Sequence, residues 1–145
     1  MNKRIDFLRS QIDKEQWQYD YPLMDWLRAR VVAVDEGYVK MQFTVEKYML
    51  NPIGIMHGGI MATVLDEVMG AASFTLGRPN GFATVNMNVD YLNPAKLGET
   101  IFAIGKIVRA GKTILHIEAS IVNANDKLLA KATSNMIATA VQLPI

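Results

Sequence analysis

The stretch NPIGIMHGGIMATVLDEVMGAASF, Asn51 to Phe74, decides how the rest of the chain is read. It opens as a loop with Pro52 and Gly54, sets two glycines after His57, and then runs to Phe74 without a proline. Placed at 100° per residue, Ile60, Met61, Val64, Leu65, Val68 and Met69 share one arc, which predicts a helix packed on a sheet. Gly59, Ala62, Asp66, Gly70 and Ser73 share the opposite strip. A solvated face would carry Lys, Glu or Gln, and each interior glycine costs roughly 1 kcal/mol relative to alanine. Small residues there read instead as a place where a second chain or a ligand comes close. Asp66 stands in the middle of that strip, whereas Glu67 lies about 100° around the helix beside Thr63 and Phe74.

The start of this helix has free N–H groups, which suit a developing oxyanion, and glycine lets it approach. Such donors can bind a carbonyl oxygen and stabilise a tetrahedral intermediate. Gly58 and Asp66 are eight residues apart, about 12 Å along the axis, so within one subunit they cannot act on one carbonyl. Two such helices, antiparallel around a two-fold axis, bring each Asp66 to the other subunit's Gly58. The helix therefore predicts a dimer with paired, shared sites.

Strands surround it. ARVVAVDEGYVKMQFTV reads as two strands joined at Asp35-Glu36-Gly37, with Val39, Met41, Phe43 and Val45 alternating with polar residues. In FATVNMNVDYL, Ala83, Val85, Met87, Val89 and Tyr91 alternate with Thr84, Asn86, Asn88 and Asp90, a period of two that puts Thr84 on a polar face. ETIFAIGKIVR, KTILHIEASIVN and KLLAKATSNMIATAV follow, separated by turns at Ala110-Gly111 and Asn123 to Asp126. Upstream, residues 2–18 read as an amphipathic helix with Ile5, Leu8, Ile12 and Trp17 on one side, interrupted by Pro22 and followed by a short turn through Trp26 and Leu27. The fold class is α+β: one long apolar helix wrapped by an antiparallel β-sheet, with an N-terminal helical extension over 1–30, in a single domain 1–145.

With these elements placed, the chain resembles the PaaI-like acyl-CoA thioesterases of the hotdog-fold superfamily, from about Gly37 to Ala140. The resemblance rests on Asn51, on His57-Gly58-Gly59, on Asp66, on ATVNMNVDYLNPAKLGE from Ala83 to Glu99, and on Arg109 to Thr113, in that order and spacing. It implies hydrolysis of acyl- or aryl-acyl-coenzyme A to acid and CoA by a homodimer, paired into a homotetramer. Under it Asp66 is the catalytic carboxylate, attacking the thioester or activating water, and Gly58 supplies the oxyanion N–H with His57 beside it. Asn51 positions the water or the thioester, and Thr84 assists the carboxylate from the same subunit. Gly59, Asn86, Tyr91, Asn93, Pro94, Lys96, Arg109, Gly111, Lys112 and Thr113 follow the coenzyme A path, and the two turns that hold most of them border the mouth of the site. No cofactor is expected, because coenzyme A is part of the substrate.

Composition narrows the alternatives. The net charge is +1 with no basic run, which argues against nucleic acid. With no cysteine and only two histidines, His57 and His116, no metal site is expected. Gly111-Lys112-Thr113 is not a Walker loop, since Lys106 stands where the motif needs glycine. The mixed-charge N-terminus and the absence of a long apolar run place the protein in the cytoplasm, with no membrane partner. Two other readings stay open. One is a non-catalytic acyl-CoA binding or sensor module, which has no need of an acid at position 66. The other is a hotdog dehydratase or hydratase, whose histidine–acid motif is missing here.

Overall fold

The computed structural model describes residues 1–145. Its frame is a six-stranded antiparallel sheet in the order β1-β2-β4-β5-β6-β3. The strands are β1 (Arg30–Asp35), β2 (Tyr38–Thr44), β3 (Asn80–Tyr91), β4 (Thr100–Ala110), β5 (Ile114–Asn123) and β6 (Leu128–Gln142). Helices α1 (Lys3–Ser10) and α2 (Pro22–Leu27) precede the sheet, and α3 (Gly58–Phe74) enters between β2 and β3.

The apolar arc of α3 meets the concave face of the sheet. Met61, Val64, Leu65, Val68 and Met69 are buried with Met41, Phe43, Ile101, Leu115, Ile117 and Ile121, as the helical and strand periodicities predict. Gly105 makes this close packing possible. A Cβ there would lie 2.4 Å from the Val68 carbonyl oxygen, so a larger residue would push β4 off the helix. The far end of α3 is tied down by fully buried Thr75, whose hydroxyl donates to the Ala72 carbonyl at 2.6 Å and accepts from the Gly37 N–H at 2.7 Å.

Two elements differ from the sequence reading. The first helix stops at Ser10 instead of continuing to residue 18. The chain then turns through Asp13, at a left-handed φ of 66°, and Trp17 docks by donating its indole N–H to the Ala29 carbonyl at 3.1 Å. Tertiary contact outweighs helical periodicity there. In β3 the alternation is broken by a bulge: Thr84 pairs with Met136 and Asn86 with Asn135, leaving Val85 as the extra residue. The side chain of Asn86 fills the gap, its Oδ1 accepting from the backbone N–H of Asn135 at 3.2 Å and from the Asn135 amide at 3.0 Å.

The two edges of the sheet are treated differently. Along β1, Arg9 of α1 donates to the Val34 carbonyl at 3.4 Å, covering that edge. No strand lies beyond β3, and Val85 (58 %) and Tyr91 (52 %) on it are exposed.

Candidate functional site

The start of α3 is organised so that one N–H is left over. Asn51 Oδ1 accepts from the N–H groups of Ile53 and Ile55 at 3.1 and 3.2 Å, shaping the turn that precedes the helix. The Met56 N–H donates to Ala95 and the His57 N–H to Met49, both at 2.8 Å, which fixes the entry of the chain. His57 is the N-cap, and its Nδ1 accepts from the Gly59 N–H at 2.8 Å. With Nδ1 accepting, the ring N–H is at Nε2. Ile60 and Met61 both donate to the His57 carbonyl, and the Gly58 N–H has no partner. Tyr91 crosses from β3 and donates its hydroxyl to the Gly58 carbonyl at 2.8 Å. The ring sits so close that a Cβ at Gly58 would be 3.3 Å from it.

Two turns further along α3, Asp66 meets β3 a second time. The Thr84 hydroxyl donates to Asp66 Oδ1 at 2.8 Å, while Oδ2 is unpartnered. The bulge explains how Thr84 gets there. Its cross-strand partner Met136 is buried in the concave face, so Thr84 points at the helix and Asn86, two residues on, points to the other side with Asn135 and His116. A strict period of two places Thr84 with Asn86 and is corrected on this point. A carboxylate held through one oxygen, with the other free, is equipped to attack a carbonyl or to take a proton from water.

Glu67 has the opposite surroundings. It accepts from the Tyr21 hydroxyl at 2.5 Å. Burial pushes its carboxyl above the ordinary value; the Tyr21 hydrogen bond opposes that shift and the neighbouring Asp66 adds to it. Burial, then Glu67 itself, also raises the Tyr21 phenol. Sequence reasoning assigned nothing to Tyr21. The signal was present in DKEQWQYDYPLMDW, where Trp17, Tyr19 and Tyr21 recur every second residue in polar surroundings.

The remaining residues divide between the two ends of the helix. Asn93 donates its side-chain amide to the Leu128 carbonyl at 2.8 Å, and Lys96 is bridged to Ile55, so Asn93, exposed Pro94 and exposed Lys96 sit at the start of α3. Exposed Arg109, Lys112 and Thr113 and the Gly111 turn lie past its other end, where Arg78 donates to the Ala110, Gly111 and Lys112 carbonyls. Within one chain the two turns therefore do not border a common mouth. Asn86, on the convex side, is not brought to Asp66 either.

The family model described as "Thioesterase superfamily" matches residues 53–130, which contain Gly58, Asp66, Thr84 and Tyr91. The chain belongs to the thioesterase superfamily. Human acyl-coenzyme A thioesterase 13 is 34% identical over 102 residues, covering 70% of this chain and 73% of that one. A Streptococcus mutans protein solved bound to acetyl CoA is 29% identical with a TM-score of 0.73, covering 77% of this chain and 88% of that one. The E. coli PaaI protein from the phenylacetic acid degradation operon has a TM-score of 0.80 at 22% identity over 85% of this chain and 88% of its own, which identifies the fold as the hotdog. This thioesterase thus carries its bare edge strand, helix start and Asp66 inside the family region, and α1, α2 and Tyr21 outside it. No helix in it is long and apolar enough to cross a membrane.

Proposed function

We propose that the protein hydrolyses acyl-coenzyme A thioesters, with Asp66 as nucleophile or general base and the Gly58 N–H as oxyanion donor. The observation that carries this reading is the pair of unsatisfied groups on one unbroken helix, the Gly58 N–H and Asp66 Oδ2. The names of its relatives supply the substrate class: acyl-coenzyme A thioesterase 13 in humans and the acetyl CoA held by the Streptococcus mutans protein. Thr84 orients the carboxylate. Hydrogen bonds to a charged group are the stronger kind, and this one leaves the second oxygen free for substrate or water.

The two groups remain about 12 Å apart in one chain, so the complete site needs a second subunit. The unpaired β3 edge supports a homodimer in which two β3 strands pair and the two α3 helices run antiparallel beside the axis. The small residues Gly59, Ala62 and Gly70 allow that approach, and a Cβ at Gly70 meets nothing within 4 Å in one chain. The same two-fold brings the Arg109–Thr113 turn of one subunit toward the Asn93–Lys96 turn of the other. Lys96, Arg109 and Lys112 then face the coenzyme phosphates from two chains. Asn51 and His57 act by shaping the loop that presents the Gly58 N–H. Pairing of dimers into a tetramer would use the convex face.

Release of thiol from a panel of acyl-CoA esters tests the reading. Turnover that disappears with Asp66 supports it. Tight binding of acyl-CoA without release would make the protein a sensor module, and addition of water across an enoyl-CoA would make it a hydratase.

A further inference from the structure

A cavity of about 400 Å³ opens beside Asp66. One wall is the Asp66–Phe74 part of α3 with Phe82 and Thr84 of β3. The other is made by the two ends of the chain, through Trp17, Tyr19 and Tyr21 on one side and Leu143, Pro144 and Ile145 on the other. Both of these segments lie outside the family region 53–130. The cavity is within the range of ligand pockets, and 13 of its 22 lining residues are hydrophobic, which suits an apolar guest reached through a polar mouth.

The segment from Trp17 to Tyr21 contains no helix or strand, so its position is set by side chains. Trp17 is held by the Ala29 carbonyl, and the Gln18 N–H donates to the Gln11 side chain at 3.1 Å. The Tyr19 ring packs edge-on against Phe7 at 6.2 Å between centroids. Tyr21 is held by Glu67 at 2.5 Å. On the opposite end, the Arg4 guanidinium donates to the Ile145 main-chain oxygen and lies 4.9 Å over the Phe74 ring. The Tyr21–Glu67 bond does two things. It anchors the wall to the residue next to Asp66, and it gives the Glu67 carboxylate a partner at the apolar side of the cavity.

We infer that this cavity receives the acyl group and that Tyr19 and Tyr21, the latter latched to Glu67, form the wall that limits its length. The inference rests on the thioesterase reading of the same site. The cavity has room for an apolar acyl chain well beyond acetyl in length. Selectivity for acyl length then resides in the ends of this chain, and the chemistry in the family region.

The test is the acyl-length profile of kcat/KM, from acetyl- to hexadecanoyl-CoA, for the parent, Tyr19→Ala, Tyr19→Leu and Tyr21→Phe. Shortening Tyr19 is expected to raise the hexadecanoyl-to-octanoyl ratio about tenfold for alanine and less for leucine, in proteins whose thermal unfolding shows them folded. Tyr21→Phe, which cuts the latch and keeps the ring, is expected to flatten the profile by roughly three- to fivefold. The leucine variant carries the test if the alanine variant does not fold. Ratios within about twofold of the parent in folded variants would overturn the inference and seat the acyl group elsewhere. If the parent releases no thiol from any ester, the thioesterase reading fails separately. Calorimetry with free carboxylic acids of the same lengths then reads the wall: a length optimum that moves with Tyr19 supports it, and binding indifferent to length overturns it.

Discussion

The two flanks of α3 carry adjacent acids and use them differently. On the β3 flank, Thr84 donates to Asp66 and Tyr91 to the Gly58 carbonyl, two contacts from one strand that leave Asp66 Oδ2 and the Gly58 N–H unoccupied. On the N-terminal flank, Tyr21 closes on Glu67 and Arg4 lies over Phe74. One residue of helix, about 100°, separates a carboxylate kept partly free from one put to structural use. Under the proposed function, burial and a perturbed titration do not by themselves mark the reacting group. Glu67 has the raised carboxyl, and the free oxygen belongs to Asp66.

The comparison breaks if the acids are interchangeable. Asp66→Asn is expected to lower kcat by roughly 10²–10⁴-fold with KM little changed, the mark of a group acting in the transition state. Steady-state kinetics in which Glu67 variants lose more than Asp66 variants would reverse the assignment of the two flanks. Gly58→Pro comes next. His57 sits at φ −62° and ψ 134°, the conformation preferred before proline, and proline is well accepted at the first helical position. The substitution therefore removes one N–H and adds a Cβ against the Tyr91 ring, with an expected loss of roughly 10²–10³-fold in kcat. Gly58→Ala is the control. It makes the same 3.3 Å approach to the Tyr91 ring but keeps the N–H, and is expected to lose less than about tenfold.

Smaller effects sharpen the contrast. Thr84→Val is expected to lower kcat by roughly tenfold, and Thr84→Ser to recover most of it, because the hydroxyl and not the methyl contacts Asp66. Glu67→Gln is expected to change kcat by less than about fivefold and to act mainly on stability. Burial raises the Glu67 carboxyl above its unfolded value of 4.5. Its favourable contribution is therefore complete below that pH and is lost as pH rises through the folded value, so at neutral pH the ionised form costs stability. The glutamine variant, which still accepts from Tyr21, should unfold at a higher temperature than the parent at pH 7. The gap should close as pH falls toward 4. Thermal melts across that range with a constant gap would show that Glu67 is not strained by its surroundings.

Much of this was legible in the chain because periodicity and packing agree there. The apolar arc of α3 names the buried face, and the small strip singles out Asp66 from Glu67 before any coordinates are considered. The resemblance puts the Thr84 hydroxyl beside the Asp66 carboxylate, where it lies, whereas strict alternation groups it with Asn86 on a face it does not share. A bulge adds one residue to β3 without a sequence mark as strong as glycine, and Val85 fits an ordinary strand. The fate of residues 11–21 was also hidden, since the docking of Trp17 on Ala29 and of Tyr21 on Glu67 depends on partners 12 and 46 residues away. Local pattern carries no information about contacts of that kind. The turns at Asn93 to Gly98 and Arg109 to Thr113 read as bordering one mouth, yet within one chain they fall at opposite ends of a 17-residue helix.

The central claim is that a working site takes Asp66 from one subunit and the Gly58 N–H from the other. Mixing Asp66→Asn with Gly58→Pro under conditions of subunit exchange tests it most directly, with native mass spectrometry reporting the hybrid. Each hybrid dimer would combine one intact site with one doubly damaged site, so the expected activity is about half of the parent value per hybrid. Hybrids present in full amount with activity no greater than the sum of the two variants would contradict the shared site.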